Sequence, residues 1–468
     1  MRSVRPVGLF LSLTLAALLV LAACGGSSSN STTTSGATTA ATSAATSAAG
    51  AATTVASPAA TKASSGAASP AATSAAAGSP ASGSFSGTFD GTILFGAAIS
   101  LTGATSKEGG YTRDGYELWK DTYNANGGIV INGKHYKIET EYYDDTSNAQ
   151  TAATLADKLI KEDHVQFLLG PYGTSSTLQV STVAEKNQIP MVDTNGAAKS
   201  IFSQGYQYTF GVLSPAPNYL QGVIDMALAQ NPKPKSVAIL SADDPFSVEV
   251  ADAAQKYAQS KGLEVVYYQK YPNASTNLTA PLTEAKGKNP DLLLNSGHLE
   301  ESVAIMQQAH QLDLNPLGYG FSVGPSLPDF QSTLKNDANY VFGGTQWTPQ
   351  LTYNADDLFK SPANYAKLFQ QRFGAEPPYQ AAESTAGGVT FVKAIEKAGS
   401  VDPKKVRDAL AGLSFTSFYG PIKFDAQGMN VTKPMAVEQW QNGQKQTVWP
   451  QDVAAAKPMW PTPHWNQR

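Results

Sequence analysis

A short run of glycine and hydroxyl residues, Gly173-Thr174-Ser175-Ser176-Thr177, has the composition of an anion-binding turn. Gly173 allows a ligand to approach the backbone closely, and Thr174 or Ser175 can cap a helix that follows. The first N–H groups of such a helix point outward, where they would receive a carboxylate. A plain helix cap without a ligand is the alternative interpretation.

A second run, Gly320-Phe321-Ser322-Val323-Gly324, matches the nucleophile elbow of a serine hydrolase and follows a predicted strand. Such an enzyme needs an acid and then a histidine after the serine, to orient and deprotonate it. The only later histidine is His464, in a segment rich in Pro and Trp. The match is therefore interpreted as a coincidence, and an exported hydrolase that uses Ser322 stays as the alternative of another class.

Other candidate chemistry has simpler explanations. Residues 128–135 nearly spell a phosphate-binding loop, but His135 replaces the metal-binding hydroxyl and strands are predicted to follow. Asp144 and Asp145 could be paired acids, yet a solvent-exposed strand end explains them more simply. The five histidines show no metal-ligand spacing, and one cysteine cannot form a thiolate metal site. The sequence therefore predicts no metal, no cofactor and no enzyme.

Short runs of branched and aromatic residues alternate with helix-length segments through the body of the chain. The predicted strands are Thr92–Ile99, Tyr136–Tyr143, Val165–Leu169 and Pro190–Val192, then Ser236–Leu240, Glu264–Tyr268, Asp291–Leu294 and Leu317–Phe321 after a crossing segment near Tyr206–Leu213. Helices are predicted from near Ala216 to Pro232 and from Asp402-Pro403 to near Leu413. The pattern predicts an α/β fold with two lobes, each with a parallel sheet, and a ligand cleft at the carboxyl ends of the strands.

The start of the chain has the features of a lipoprotein export signal. Arg2 and Arg5 precede an apolar run that ends in Leu21-Ala22-Ala23-Cys24, and Cys24 is the only cysteine. A retained membrane anchor is the alternative, and it would also leave the body outside the cell. Residues 25–88 are rich in Ser, Thr, Ala and Gly, with Lys62 as the only charge up to residue 84, which predicts a disordered tether.

The charge balance excludes some partners. Without Arg2 and Arg5 the mature chain has 31 basic and 37 acidic residues, a net charge of −6. This acidic balance argues against a nucleic-acid partner and against an anionic membrane surface as a partner.

Several strand ends carry strings that resemble the branched-chain amino-acid type of ABC-transporter substrate-binding proteins, which have the type I periplasmic-binding-protein fold. They are Ile99-Ser100-Leu101-Thr102-Gly103, Tyr143-Asp144-Asp145-Thr146, Gly170-Pro171-Tyr172-Gly173-Thr174-Ser175-Ser176-Thr177, and Gly420-Pro421-Ile422-Lys423-Phe424-Asp425 followed by Gly428. The resemblance covers about residues 92–450. It implies two Rossmann-like lobes joined by three crossovers, so that the first lobe is discontinuous.

The resemblance also implies where a ligand binds. The position of Thr174 contacts the ligand head group, as do the positions of Asn195 and Ala197, and Phe246 lies where the family places an aromatic wall residue. A core role for Phe246, and an Asn195 that only stabilises its own turn, are the alternatives. The predicted ligand-binding residues are Tyr172, Gly173, Thr174, Ser175, Asn195, Gly196, Ala197, Phe246, His298, Ser322 and Glu108.

One departure from the family concerns ligand charge. Amino-acid-binding members usually carry an acidic residue after the fourth strand of the second lobe, whereas this chain has Ser322-Val323-Gly324-Pro325. Glu108 could neutralise an ammonium group if it points inward, although an exposed loop glutamate is the commoner outcome. Amino acids, aromatic or aliphatic acids, amides and polyols therefore all stay open as ligands.

These observations predict a monomeric, membrane-tethered lipoprotein outside the cytoplasm that captures a small polar molecule and delivers it to an ABC permease. A ligand sensor of the same fold is the alternative. The predicted divisions are a signal peptide (1–24), a tether (25–88), a first lobe (89–212 and 346–424), a second lobe (213–345 and 425–450) and a tail (451–468).

Overall fold

Residues 85–468 are described by the computed structural model of the chain. The predicted signal peptide, Cys24 and almost all of the predicted tether lie outside the described residues. Within residues 85–468, no helix combines the length and the apolar composition that crossing a membrane requires.

The strands are β1 (Gly91–Ile99), β2 (Ile129–Ile131), β3 (Lys134–Asp144), β4 (Phe167–Leu169), β5 (Met191–Asp193), β6 (Thr209–Gly211), β7 (Ser236–Ala242), β8 (Glu264–Tyr271), β9 (Leu292–Ser296), β10 (Gly318–Phe321), β11 (Val341–Thr345), β12 (Ser414–Ser417), β13 (Gly420–Lys423), β14 (Ala436–Gln441) and β15 (Gln444–Trp449). The helices are α1 (Ser106–Ala125), α2 (Ala149–Lys161), α3 (Thr174–Asn187), α4 (Gln221–Leu228), α5 (Pro245–Ser260), α6 (Thr279–Gly287), α7 (Leu299–Gln311), α8 (Pro328–Leu334), α9 (Pro362–Phe373), α10 (Tyr379–Ala398) and α11 (Pro403–Ala411).

The first sheet has the strand order β2-β3-β1-β4-β5-β6. Strands β3, β1, β4, β5 and β6 run parallel, and only β2 is antiparallel, because it forms a hairpin with β3. This hairpin occupies the segment that resembles a phosphate-binding loop, so no helix begins there to receive a phosphate. The parallel order places the ends of β1, β4 and β5 at one edge of the sheet.

The second sheet has the order β15-β14-β11-β10-β9-β7-β8. Strands β11, β10, β9, β7 and β8 are parallel, and β14 and β15 add an antiparallel hairpin beside β11. All eight predicted strands are present within a few residues of their predicted bounds. The predicted fold class, two α/β lobes with largely parallel sheets, is confirmed.

The chain passes between the two sheets three times, after β6, after β11 and after β13, and these crossovers are bound to one another. The amide of Gln346 accepts from the N–H of Ser214 at 3.0 Å and donates to its carbonyl at 2.9 Å. Asn430 Nδ2 donates to the carbonyl of Val212 at 3.0 Å. The three crossovers therefore form one hydrogen-bonded hinge.

Helices α1 and α10 pack together closely in the first lobe because glycines remove the side chains at their contact. A Cβ on Gly115 would lie 2.2 Å from the carbonyl oxygen of Ala381, and one on Gly388 would lie 2.1 Å from the ring of Trp119. Almost every residue of α10 up to Ile395 is buried. This packing fixes the first turns of α10 relative to the end of β5.

Capping residues explain two helix starts in the second half of the chain. Asp244 precedes α5 and accepts from the N–H groups of Phe246 and Ser247, and Asp402 precedes α11 and accepts from Lys405. The helix predicted from near Ala216 is instead a 3-10 turn over Ala216–Asn218 followed by α4.

The last residues of the chain pack on the second lobe. Trp465 Nε1 donates to the carbonyl of Leu314 at 2.7 Å, and Trp460 Nε1 donates to that of Pro232 at 2.9 Å. Trp465 also stacks on His310, with the ring centroids 4.6 Å apart. The segment predicted as a tail therefore covers the outer side of the second lobe, where His464 also lies.

Candidate ligand-binding cleft

Side chains from the two lobes meet where the parallel strands end. Tyr172, which follows β4, makes a hydrogen bond of 3.0 Å from its hydroxyl to Nδ1 of His298, which follows β9. Tyr111 donates to Asp329 at 2.9 Å, and Lys107 forms an ion pair with the same carboxylate at 3.1 Å. The structure thus has the two lobes in direct contact along one side of the cleft.

The turn before α3 has the geometry of an anion site, but its cap differs from the prediction. Gly173 is the N-cap residue, with φ of +82°, and no side chain caps the helix. Neither Thr174 nor Ser175 caps the helix, because Thr174 is already its first residue, and the Thr174 hydroxyl accepts from the N–H of Ala198 at 3.3 Å. The N–H groups of the first turn have no partner within the helix, as in any α-helix, and stay available to a ligand.

The loop after β5 is held by a buried carboxylate. Asp193 Oδ1 accepts from the N–H of Asn195 at 3.2 Å and of Gly196 at 2.8 Å, and burial raises the pKa of Asp193 to about 7. Ala197 is buried, and its carbonyl accepts from the N–H of Ala216 at 2.8 Å. Asp193, rather than Asn195, therefore stabilises this turn.

The Asn195 side chain reaches away from its own loop towards α10. Its Nδ2 donates to the hydroxyl of Ser384 at 2.9 Å and also to the hydroxyl of Thr194 in its own loop at 3.2 Å. Its backbone carbonyl accepts from the N–H of Gly173 at 3.2 Å. Its Oδ1 is buried and has no hydrogen-bond partner among the described residues. Asn195 therefore joins the α3 turn to α10 and keeps one acceptor free.

Phe246 and His298 belong to one cluster of rings, the aromatic wall, and Phe246 is 5% exposed and packs within the hydrophobic core, as its alternative interpretation predicted. The ring of Phe246 lies 5.0 Å from that of Tyr219 and 5.9 Å from that of His298, measured between centroids. Tyr219 lies in turn 6.5 Å from Tyr379 of the first lobe. Tyr219 and Tyr379 are buried members of this wall that the sequence analysis missed. The Pro377-Pro378 pair before Tyr379 was a usable helix-start signal for α10.

His298 is held between two polar partners. With both ring nitrogens protonated, Nδ1 donates to Tyr172, and Nε2 lies 3.5 Å from Oδ2 of Asp244. Burial alone would lower the pKa of His298, but the hydrogen bond and charge of Asp244, with the charges of Glu301 and Glu108, raise it to about 9. His298 is therefore a cation at neutral pH.

Glu108 is not the exposed loop glutamate that was the commoner expectation. It lies in the first turn of α1, is 1% exposed, and its Oε1 accepts from the N–H of Leu299 in the second lobe at 3.1 Å. Burial raises the pKa of Glu108, although the charge of His298 opposes this. Glu108 thus points inward and binds the start of α7 on the opposite lobe.

Ser322 has a structural role in the turn after β9. It is fully buried, its hydroxyl accepts from the N–H of Gly297 at 3.2 Å, and it also lies 3.2 Å from the Gly297 carbonyl. The hydroxyl is therefore occupied by backbone groups, which disfavours the hydrolase alternative.

Asp144 and Asp145 both bind neighbouring loops. Asp144 accepts from the N–H groups of Leu101 and Thr102 and from the Thr102 hydroxyl, at 2.7 to 3.1 Å. Asp145 is buried and accepts from the Ser100 hydroxyl at 2.7 Å. The interpretation of this pair as a solvent-exposed strand end is wrong for Asp145, because its carboxylate closes the β1 turn. Among residues 85–468, no group of three or more His, Cys, Asp or Glu side chains is placed to hold a metal ion.

A small cavity of about 70 Å³ lies at the α3 turn. It is lined on the first lobe by Tyr172 and residues 173–176, and on the second lobe by Asp244, Asn273 and His298. The cavity brings together predicted residues from both lobes. Ser175 is exposed at this position, whereas Phe246, Asn195 and Ala197 lie outside the lining of this cavity.

Comparison with known proteins defines the class of protein to which this fold belongs. The model of the periplasmic binding protein family matches residues 92–445, so the chain belongs to that family of solute-binding proteins. A Leu/Ile/Val-binding protein homolog from Brucella abortus is 26% identical over 388 residues, which cover 78% of this chain and 92% of the relative. A second Brucella homolog, from Brucella suis, is 22% identical with the same coverage.

Solved structures share the fold at lower sequence identity. A leucine-binding protein from Thermotoga maritima has a TM-score of 0.67 at 20% identity, covering 77% of this chain and 100% of its own. A solute-binding protein from R. palustris in complex with benzoate has a TM-score of 0.66 at 16% identity, covering 78% of this chain and 99% of its own. The type I periplasmic-binding-protein fold is thereby confirmed. Membership of the periplasmic binding protein family implies that the chain is extracytoplasmic.

Proposed function

We propose that this protein is the solute-binding lipoprotein of an ABC importer and captures a small polar molecule between its lobes as a monomer. The ligand is an amino acid or a related carboxylate or amide. The lobes are residues 89–212 with 346–424 and residues 213–345 with 425–450. The main support for this proposal is that the first lobe has an uncapped α3 N terminus and the second lobe has the rings of Phe246 and His298.

The head group of the ligand docks on the first lobe. The free N–H groups after Gly173 and the Thr174 hydroxyl form hydrogen bonds to a carboxylate or amide, while the ring of Phe246 excludes water from the apolar part. Tyr172, Ser175, Asn195, Gly196 and Ala197 complete the first-lobe surface. His298, Glu108 and Ser322 act less directly, because each is already bound to protein groups in the contacting lobes.

Closure is the mechanism of capture and delivery. A ligand that contacts both lobes lowers the free energy of the closed form relative to an open one, and the permease then recognises the closed form. The Brucella relatives are named for Leu/Ile/Val binding, and one structural neighbour holds benzoate, which supports a small carboxylate as ligand. No bond of the ligand is broken.

A thermal-shift panel followed by small-angle scattering tests this function. The panel contains L-leucine, L-phenylalanine, benzoate, 4-hydroxybenzoate, acetamide and glycerol. We expect at least one compound to stabilise the protein saturably, to be recovered unchanged and to reduce the radius of gyration. If all six compounds fail, or if a compound binds without any contraction, the proposal is contradicted.

Thr174→Val tests the head-group site. Loss of the hydroxyl is expected to weaken the panel ligand about fivefold or more, equivalent to about 1 kcal/mol. Thr182→Val, on the exposed side of the same helix, is the matched control and should keep the wild-type affinity. Equal calorimetric affinities for the two variants would remove Thr174 from the site.

We also propose lipidation at Cys24 as the membrane attachment. Cys24→Ala should give a folded protein that fractionates away from the membrane. Membrane retention of that variant would indicate an uncleaved helix instead.

A further inference from the structure

Glu383 is a buried acid beside the cleft that the sequence analysis did not single out. It lies one turn into α10 and is 1% exposed. Its Oε2 is 3.1 Å from the Tyr419 hydroxyl, and among the described residues it makes no salt bridge within 4 Å. A buried carboxylate without a cationic partner is costly, so such a group either stays protonated or awaits a partner.

The position of Glu383 connects the two sides of the proposed site. The next residue, Ser384, accepts the Nδ2 hydrogen bond of Asn195 at 2.9 Å. One turn earlier on the same helix, Tyr379 lies 6.5 Å from Tyr219, which itself lies 5.0 Å from Phe246. Glu383 therefore lies on the helix that contacts both the first-lobe loop carrying Asn195 and the aromatic wall.

The groups around Glu383 do not neutralise it. Lys433, on the third crossover, donates to the backbone carbonyls of Gln346 and Pro434 rather than to Glu383. Burial lowers the pKa of Lys433 to about 7, although the charge of Glu383 opposes this. The nearby acid is Asp193, which carries the same sign of charge.

The protonation state of Glu383 follows from this environment. Burial, together with the charge of Asp193, raises the pKa of Glu383 well above its usual range, although Tyr419 and Lys433 oppose this. Burial raises the pKa values of Tyr219 and Tyr379, and the charge of Glu383 raises them further, so neither phenol supplies a charge at neutral pH. The raised pKa favours the protonated form of the carboxyl group, as expected for a buried acid without an ion-pair partner.

The loop that contacts α10 through Ser384 carries an unsatisfied acceptor. Asn195 Oδ1 is buried, with no hydrogen-bond partner among residues 85–468. A buried carboxyl group without an ion-pair partner and an amide oxygen without a donor suit a ligand group that brings several N–H donors and a positive charge, which describes a protonated amine. We propose that Glu383 and Asn195 together bind a protonated amine of the ligand, and that Glu383 releases its proton to solvent when that amine binds. This inference rests on the proposed solute-binding function and adds the specificity of its site.

Matched ligand pairs measure the amine preference. L-leucine is compared with 4-methylpentanoate, and L-phenylalanine with 3-phenylpropanoate, so that only the amine differs within a pair. Calorimetry with the whole protein at pH 7, in buffers of different ionisation enthalpy, gives both affinity and proton release. For the wild type we expect the amine member of at least one pair to bind at least tenfold more tightly and to release up to one proton.

Glu383→Gln tests the residue itself. The variant should bind the preferred amine at least tenfold more weakly than the wild type and release no proton. Glu438→Gln is the matched control, because Glu438 is an equally buried glutamate in β14, and it should keep both the affinity and the proton release. If Glu383→Gln does not fold, the same test uses the amine affinity of Glu383→Asp. Proton release by the wild type, measured in buffers of different ionisation enthalpy, is then the second readout.

The possible failures are distinguishable. Unchanged affinity of Glu383→Gln for the amine, or tight binding of the desamino acids by the wild type, overturns the role of Glu383. Binding of benzoate alone also overturns it and leaves the proposed solute-binding function intact. If neither the two pairs nor the six-compound panel binds, both proposals fail.

Discussion

His298 is predicted to contribute to the pH dependence of the stability of the protein, and His298→Gln should remove that contribution. The ring is a buried cation between Asp244 of its own lobe and Tyr172 of the other lobe. Its side chain is 12% exposed, so solvent screens the ion pair only weakly. Glutamine keeps a polar side chain of similar length at this position but cannot carry the charge.

The size of the effect follows from the two pKa values. The pKa of His298 is about 9 in the folded protein, against 6.5 for an unperturbed histidine. A pKa difference of about 2.5 corresponds to an upper limit of roughly 3 to 4 kcal/mol, at about 1.4 kcal/mol per unit. Because the folded pKa is the higher one, the stabilisation is fully present below about pH 6.5. It is lost as the pH rises through about 9.

Urea titrations of the wild type and of His298→Gln at pH 6, 7.5 and 9.5 measure this effect as free energies of unfolding. The difference in the free energy of unfolding between the two proteins isolates the contribution of His298 from that of the other buried groups that titrate in the same pH range. We expect it to be about 3 kcal/mol at pH 6 and to shrink towards zero by pH 9.5. His310→Gln is the control, because His310 also lies against a carboxylate but its side chain is 50% exposed. Parallel pH profiles for the wild type and His298→Gln would refute the reasoning.

Two adjacent glycines of α1 should respond oppositely to alanine. A Cβ on Gly109 would lie 1.9 Å from the carbonyl oxygen of Ser100, so Gly109→Ala should destabilise the protein by about 2 kcal/mol or more. A Cβ on Gly110 would meet open space, so Gly110→Ala should stabilise the protein by up to about 1 kcal/mol. Equal urea midpoints would contradict this packing. Asn430→Ala removes the hydrogen bond from Asn430 to Val212 that joins two crossovers. The variant should lose about 2 to 3 kcal/mol in the free energy of unfolding. A loss below about 1 kcal/mol would show that the hinge does not depend on this hydrogen bond.

The sequence predicted the strands well because each is a short apolar run bounded by turn residues. It did not predict the antiparallel pair β14 and β15 beside β11, since their partner is about 100 residues away and local pattern carries no pairing information. It also passed over α10. Nearly all of that helix is buried, so it lacks the polar face by which an amphipathic helix is recognised.

At the site, the sequence identified residues at strand ends but not their partners. It placed Gly173 and Thr174 at the start of a helix, and it offered Glu108 as an inward-facing acid only as the less common outcome. The hydrogen bond from Leu299 to Glu108 joins residues 191 positions apart on different lobes, so only the docking of the lobes revealed it.

By itself the sequence determined the fold class and the family resemblance, because strand periodicity, turn residues and short motifs are local in the chain. Only the tertiary structure decided which buried charges have partners. The packing of α10 against α1 and against the loop after β5 buries Glu383 and places Asn195 next to α10. The energy of a charge depends on the groups that surround it in space, and those groups come from distant parts of the chain.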